Sequence, residues 1–99
     1  MLGKRREDLY RIFETDQFLN DLQGLDASVR SRAYKKTKSK IYPQIRSNPY
    51  YGKNIKKLKA YRPETWRYKL GDLRIFYEIG DNEKIISILA IDFRGNIYK

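Results

Sequence analysis

The chain has 99 residues, 40% of them apolar and 14% aromatic, and its 22 Lys and Arg against 12 Asp and Glu give a net charge of +10. That length and apolar content suit a single domain spanning residues 1–99 with one core, and exclude global disorder. The absence of Cys and His excludes disulfides, thiol chemistry, the usual zinc sites and any mechanism that relies on imidazole, so a general acid or base must be Lys, Tyr, Asp or Glu.

The charge is unevenly placed. Residues 1–26 hold four basic and six acidic side chains and residues 64–99 hold six of each, whereas Ala27 to Pro63 holds twelve basic residues and no acid. A block of that kind points to a polyanion, and to nucleic acid before an anionic membrane, because no apolar insertion face accompanies it. The start, Met1-Leu2-Gly3-Lys4-Arg5-Arg6, is charged with no apolar run behind it, and the longest apolar stretch, Ile85 to Ile91, is only strand-sized. Neither a secretory nor a membrane-spanning segment is expected, and the cytoplasm is the expected location.

In chain order, residues 1–8 read as a flexible N-terminal extension. Leu9 to Phe13 is short, branched and aromatic, as a first strand would be. Thr15 or Asp16 then offers an N-cap to a short helix with Phe18, Leu19 and Leu22 on one face, and Gly24 stops it. Asp26 caps a longer helix from about Ala27, in which Val29, Ala33, Thr37, Ile41 and Ile45 recur every four residues as an inward stripe. Arg30, Arg32, Lys35, Lys36, Lys38, Lys40 and Arg46 surround that stripe, with no acid to balance them as a merely solvated face would have. Pro43 is expected to kink this helix or end its regular part, and Asn48-Pro49 to terminate it.

Tyr50 to Arg62 reads as an irregular segment pinned by Ile55 and Leu58. Tyr42, Tyr50, Tyr51 and Tyr61 interleave with its cations, as base-stacking rings would, although most such tyrosines serve as half-buried packing residues.

Thr65 to Ile79 is a hairpin. Gly71-Asp72 suits a two-residue turn, which pairs Leu70 with Leu73, Lys69 with Arg74, Tyr68 with Ile75, Arg67 with Phe76 and Trp66 with Tyr77. One face then carries Trp66, Tyr68, Leu70, Leu73, Ile75, Tyr77 and Ile79. The other carries Arg67, Lys69, Arg74, Phe76 and Glu78. Like charges placed opposite each other, as Lys69 and Arg74 are, destabilise a sheet, which an anion bound between them would offset. A last strand, Lys84 to Asp92, most simply pairs Ile79 with Lys84, Tyr77 with Ile86, Ile75 with Ile88 and Arg74 with Leu89. It brings Arg94 and the tail to Tyr98 toward the same cationic end. The fold class is α+β: a strand, two helices, then a three-strand antiparallel meander, with the helices on one face of the sheet.

The order and spacing of these pieces resemble the RelE/ParE superfamily of bacterial and archaeal toxins from toxin–antitoxin pairs, most closely the RelE-type mRNA interferases in their archaeal form. The resemblance runs from about Tyr10 to Tyr98. It rests on Thr15 and Phe18 opening the first helix, Asn48-Pro49 closing the second, Lys57-Leu58 before the sheet, the hairpin from Trp66 to Glu78, and the ending Phe93-Arg94-Gly95-Asn96-Ile97-Tyr98. It implies a toxin that cleaves messenger RNA on the ribosome without metal or other cofactor, and that is silenced by a cognate antitoxin protein. The positions matching the family's active site are Arg67, Lys69, Arg74, Arg94 and Tyr98. Those matching its surface for RNA and the ribosome are Arg30, Arg32, Lys35, Lys36, Lys38 and Lys40, with Lys53, Lys56 and Lys57 extending the basic tract.

The chemistry agrees with those residue types. Attack by a ribose 2′-hydroxyl needs a base, which Lys69 crowded by Arg74 and Arg67 would provide, and fixed cations on the phosphate, which Arg74 and Arg94 would provide. Tyr98 would stack a base or assist proton transfer. Where many relatives place Gly-His before the terminal Arg, this chain has Asp92-Phe93, and an acid beside a phosphate site is unexpected. A ParE-like inhibitor of DNA gyrase and a basic RNA-binding module without chemistry are the alternatives.

Overall fold

The structure, a computed structural model, describes residues 9–93. The extension expected over residues 1–8, and Arg94 and Tyr98, lie outside the described residues.

The first strand, β1, is Arg11–Glu14 rather than Leu9 to Phe13. Its start is set by its partner: it runs parallel to the last strand, with the Arg11 amide donating to the Lys84 carbonyl at 2.9 Å. Thr15 then caps helix α1 (Asp16–Gln23), its Oγ1 accepting from the Phe18 amide at 3.2 Å. The same hydroxyl donates to the Ile88 carbonyl at 2.7 Å, which ties the start of the helix to the sheet. Gly24 ends α1 as expected, its amide bonded to the Asn20 and Asp21 carbonyls.

The second helix is one continuous run in three parts: α2 (Ala27–Lys36), a π-helical turn (Thr37–Ile41), and α3 (Tyr42–Ser47) with Pro43 in its first turn. Pro43 therefore sits where a helix needs no donor from it. The wide turn before it, closed by the Tyr42 amide on the Thr37 carbonyl, has a second consequence. A spacing of four drifts by about 40° per step against a 3.6-residue turn. The π turn offsets that drift, so Ala33, Thr37, Ile41 and Ile45 are all buried. Thr37 satisfies its hydroxyl inside the helix, on the Ala33 carbonyl at 2.8 Å. Asn48 closes α3 in an extended conformation and accepts the Tyr50 and Tyr51 amides on its side chain.

Among the described residues the sheet has five strands where four were expected, in the order β1-β5-β4-β3-β2. The addition is β2 (Ile55–Lys57), within the tract read as irregular; it pairs antiparallel with β3 (Trp66–Leu70). Three residues are too few to show alternation, and two exposed lysines suit an edge strand that must not recruit another chain. The β3–β4 hairpin, with β4 at Leu73–Gly80, has the expected register at all five pairs, and Gly71 turns with φ 61°.

The pairing of β4 with β5 (Ile85–Phe93) corrects the expected register. Ile79 faces Ile86, Tyr77 faces Ile88, Ile75 faces Ile91, and Arg74 faces Asp92 instead of Leu89. Two local features cause this. Lys84 adopts a positive φ of 58° and belongs to the turn, so Gly80 pairs with Ile85. A bulge on β5, opposite Phe76 and Tyr77, then leaves Leu89 as an extra residue, which reverses the facing of everything after it. Ile91 joins the core, and Asp92 turns to the opposite face.

Phe18 and Leu22 from α1 and Ala33, Ile41 and Ile45 from the second helix pack on Tyr68, Leu73, Ile75, Tyr77, Ile86, Ile88 and Ile91, forming one buried cluster on one side of the sheet. The Tyr77 hydroxyl, fully buried, donates to the Pro49 carbonyl at 2.7 Å and pins the end of α3 to β4. On the other side of the sheet no helix among the described residues covers the strands.

Candidate functional site

The uncovered face is built in rows by strand pairing. One row crosses the sheet as Lys56, Arg67, Phe76 and Ala90; the next is Lys69, Arg74 and Asp92. Directly opposed side chains of antiparallel strands have Cβ atoms about 5 Å apart, so each row is a line of neighbouring groups. Sequence alternation therefore suffices to gather Arg67, Lys69 and Arg74, and β2 adds Lys56 beside Arg67.

Between β3 and the entry to β2 lies a shallow cavity of about 310 Å³ lined by Lys53, Asn54, Arg67, Lys69 and Gly71. The Lys69 amide donates to the Asn54 carbonyl at 2.9 Å, and the Asn54 side-chain amide donates to the Tyr68 hydroxyl at 3.2 Å. The Tyr68 hydroxyl in turn donates to Gln44 Oε1 at 2.6 Å. The cavity wall is thereby fixed to α3 through the sheet. Three cations and no acid line it, so its electrostatics favour an anion.

Arg74 does not line this cavity. Its Nη2 forms an ion pair with Asp92 Oδ2, the two side chains being 22% and 33% exposed. The Nε atoms of Arg67 and Arg74 are buried and make no hydrogen bond. Lys69 thus faces an arginine that is already charge-compensated, and the isolated like-charge pair expected from the hairpin is instead a row of two cations and an anion.

The cations of the second helix meet this site at the hairpin turn. A groove of about 410 Å³ is lined by Arg32, Ala33, Lys35 and Lys36 on one wall and by Leu70 to Leu73 and Phe93 on the other. Gly71 borders both hollows. The remaining basic positions are placed differently. Arg30 donates to the Gln23 and Leu25 carbonyls and braces the α1–α2 turn. Lys38 lies over the Tyr34 ring at 4.5 Å, Lys40 is exposed, and Lys57 pairs with Glu64 at 3.0 Å.

The tyrosines divide. Tyr34 and Tyr42 both donate to Glu14, which raises their hydroxyl pKa values through burial first and the carboxylate second. Tyr10 and Tyr50 share Asp81, whose carboxyl they hold below its ordinary range, with Lys84 nearby. These rings are packing residues, and Tyr50 also meets Trp66 edge-on at 5.3 Å. Tyr51 and Tyr61 remain exposed at 76% and 58%. Sequence reasoning missed Asn54, which no periodicity marks beside so short a strand, and the partner of Asp92, which depends on the bulge.

Comparison with known proteins agrees with this architecture. Residues 6–98 match the family described as the ParE toxin of the type II toxin–antitoxin system, parDE. The fold is similar to the toxin–antitoxin complex RelBE2 from Mycobacterium tuberculosis, at 20% identity and a TM-score of 0.67, covering 86% of this chain and 98% of that one. It is also similar to the archaeal RelE–RelB complex from Pyrococcus horikoshii (24% identity, TM-score 0.60, 88% and 97% covered) and to the YoeB dimer from Staphylococcus aureus (17%, 0.64, 86% and 97%). No curated protein matches the chain in sequence. With the family model spanning nearly the whole chain and the fold shared with RelE toxins, this protein belongs to the ParE toxin family of type II toxin–antitoxin systems within the RelE/ParE superfamily.

Proposed function

We propose that the uncovered cationic face is the active site of a ribosome-dependent, metal-independent endoribonuclease that cleaves messenger RNA in the cytoplasm and is silenced by a cognate antitoxin. The observation that carries this reading is the convergence of Arg67, Lys69 and Arg74 on one open face beside an acid-free cavity. The RelE-like fold supports it, as do the antitoxins present in the similar complexes.

In this mechanism Lys69 takes the proton from a ribose 2′-hydroxyl, whose oxygen attacks the adjacent phosphorus. The bond to the 5′-oxygen breaks, leaving a 2′,3′-cyclic phosphate. Arg67, Arg74 and Arg94 bind the charge that builds on the non-bridging oxygens, and Tyr98 returns a proton to the leaving oxygen or stacks the neighbouring base. The Arg32, Lys35 and Lys36 surface holds ribosomal RNA, with Lys38, Lys40, Lys53 and Lys56 adding to its field.

Single-turnover cleavage on programmed ribosomes tests the assignment. Arg94→Ala is expected to slow cleavage by about 10²–10³, the loss typical of one oxyanion donor. Lys69→Arg keeps the charge but not the ability to give up a proton, so it is expected to abolish cleavage while leaving ribosome affinity intact. Cleavage by Lys69→Arg at the wild-type rate with the same pH profile would remove Lys69 from the base role. The family's ParE description favours a second reading, inhibition of DNA gyrase; loss of supercoiling activity with intact message on the same protein would establish it instead.

A further inference from the structure

Asp92 has no place in the reaction just described, yet the fold goes out of its way to present it. Without the extra residue at Leu89, the inward alternation of Ile86 and Ile88 would continue through Ala90 to Asp92, burying a carboxylate. With it, Ile91 is buried and Asp92 faces Arg74 on the open side.

The row Lys69, Arg74, Asp92 also has a direction. Asp92 stands on β5, while the anion cavity lies on the β3 and β2 side, walled by Lys53, Asn54, Arg67 and Lys69. Arg74 on the strand between them thus has an anion position on either hand, and it is turned toward Asp92. A guanidinium carries five donors in a planar fork suited to two acceptors at once. Here the carboxylate takes Nη2, and Nε is left buried without a partner. The resting pair is therefore incompletely satisfied, although it does relieve the repulsion between Arg74 and Lys69.

We propose that Asp92 is an internal stand-in for the substrate phosphate: it holds Arg74 away from the cavity in the free protein and yields it when an RNA phosphate binds beside Lys69. Asp92 is a positioning residue that acts through Arg74. The proposal rests on the reading of this face as a phosphate site. It makes Arg74 available to that site only against competition, which lowers affinity for stray anions and single RNA phosphates.

The test is binding of a short single-stranded RNA with 2′-deoxy substitution, so that no cleavage intervenes, titrated over salt with the full chain. Asp92→Asn, nearly isosteric and only partly buried, frees Arg74 to neutralise one more phosphate. The salt slope should steepen by about 0.7, and affinity should rise roughly fourfold at 0.15 M salt. In an Arg74→Ala background the same substitution should change neither. Asp92→Ser serves as a second variant, and thermal unfolding of each confirms the fold. If Arg74→Ala weakens binding but Asp92→Asn and Asp92→Ser leave it unchanged or weaker, Asp92 is a structural brace and this inference is overturned while the phosphate site stands. If Arg74→Ala has no effect on binding, the phosphate-site reading itself is overturned, and this inference with it.

Discussion

Asp81 shows how single side chains distribute stability in this molecule. The Tyr10 and Tyr50 hydroxyls, and secondarily Lys84, hold its carboxyl below the ordinary value of 3.8. A carboxyl whose folded pKa is depressed adds stability that is present above the unfolded value and lost as pH falls through the folded one. The urea midpoint should therefore fall as pH drops below about 4. Asp81→Asn should flatten that part of the profile while lowering the neutral-pH midpoint toward it. An acid limb equally steep in the variant would assign the sensitivity to other carboxylates. The same scale explains why so aromatic a chain leaves few tyrosine rings free to stack. Tyr10, Tyr42 and Tyr77 are buried and bonded within the fold, which leaves Tyr51 and Tyr61 as the most exposed tyrosines among the described residues.

Among the elements, the β3–β4 hairpin holds the candidate site and its turn is the point of weakness. Gly71 has φ 61°, and a Cβ placed there would meet nothing within 4 Å. Gly71→Ala should therefore cost only the backbone penalty of a left-handed residue, about 1 kcal/mol, read as a lower urea midpoint at constant m-value. Asn, which tolerates that conformation, should cost less. A much larger loss would mean that the turn touches something beyond its own strands. The role proposed for the second helix is electrostatic. Reversing Arg32, Lys35 and Lys36, all exposed, should cut ribosome binding steeply while thermal unfolding changes little, and wild-type binding should itself fall with salt. Binding that ignores salt would refute an electrostatic role for this helix.

At the scale of the molecule, the helices among the described residues cover one side of the sheet and leave the other open, with Phe13 at 58% exposure on β1 and the cationic rows at the far end. An acidic segment with apolar residues complements such a face. The cognate antitoxin should accordingly protect β3 and β4 amides from hydrogen exchange and abolish RNA binding. Unchanged exchange on those strands in the complex would place the antitoxin elsewhere.

How far the sequence could be read depended on the range of the interactions involved. The hairpin register, the Thr15 cap, the Gly24 stop and the gathering of Arg67, Lys69 and Arg74 were legible because period-two alternation, a turn glycine and a capping hydroxyl all act within a few residues. The basic block was legible because charge needs no register. What escaped were features decided between distant segments. β2 exists because β3 offers it an edge, and β1 begins at Arg11 because Lys84 presents a carbonyl there. The π turn before Pro43 forms where the inward stripe must stay inward. Above all, Asp92 meets Arg74 only because one left-handed lysine and one bulge move β5 by three residues. The sequence by itself determined which charges the site would contain. Which of them face each other was decided by the tertiary structure, because on a pleated sheet a single extra residue turns every later side chain to the other face.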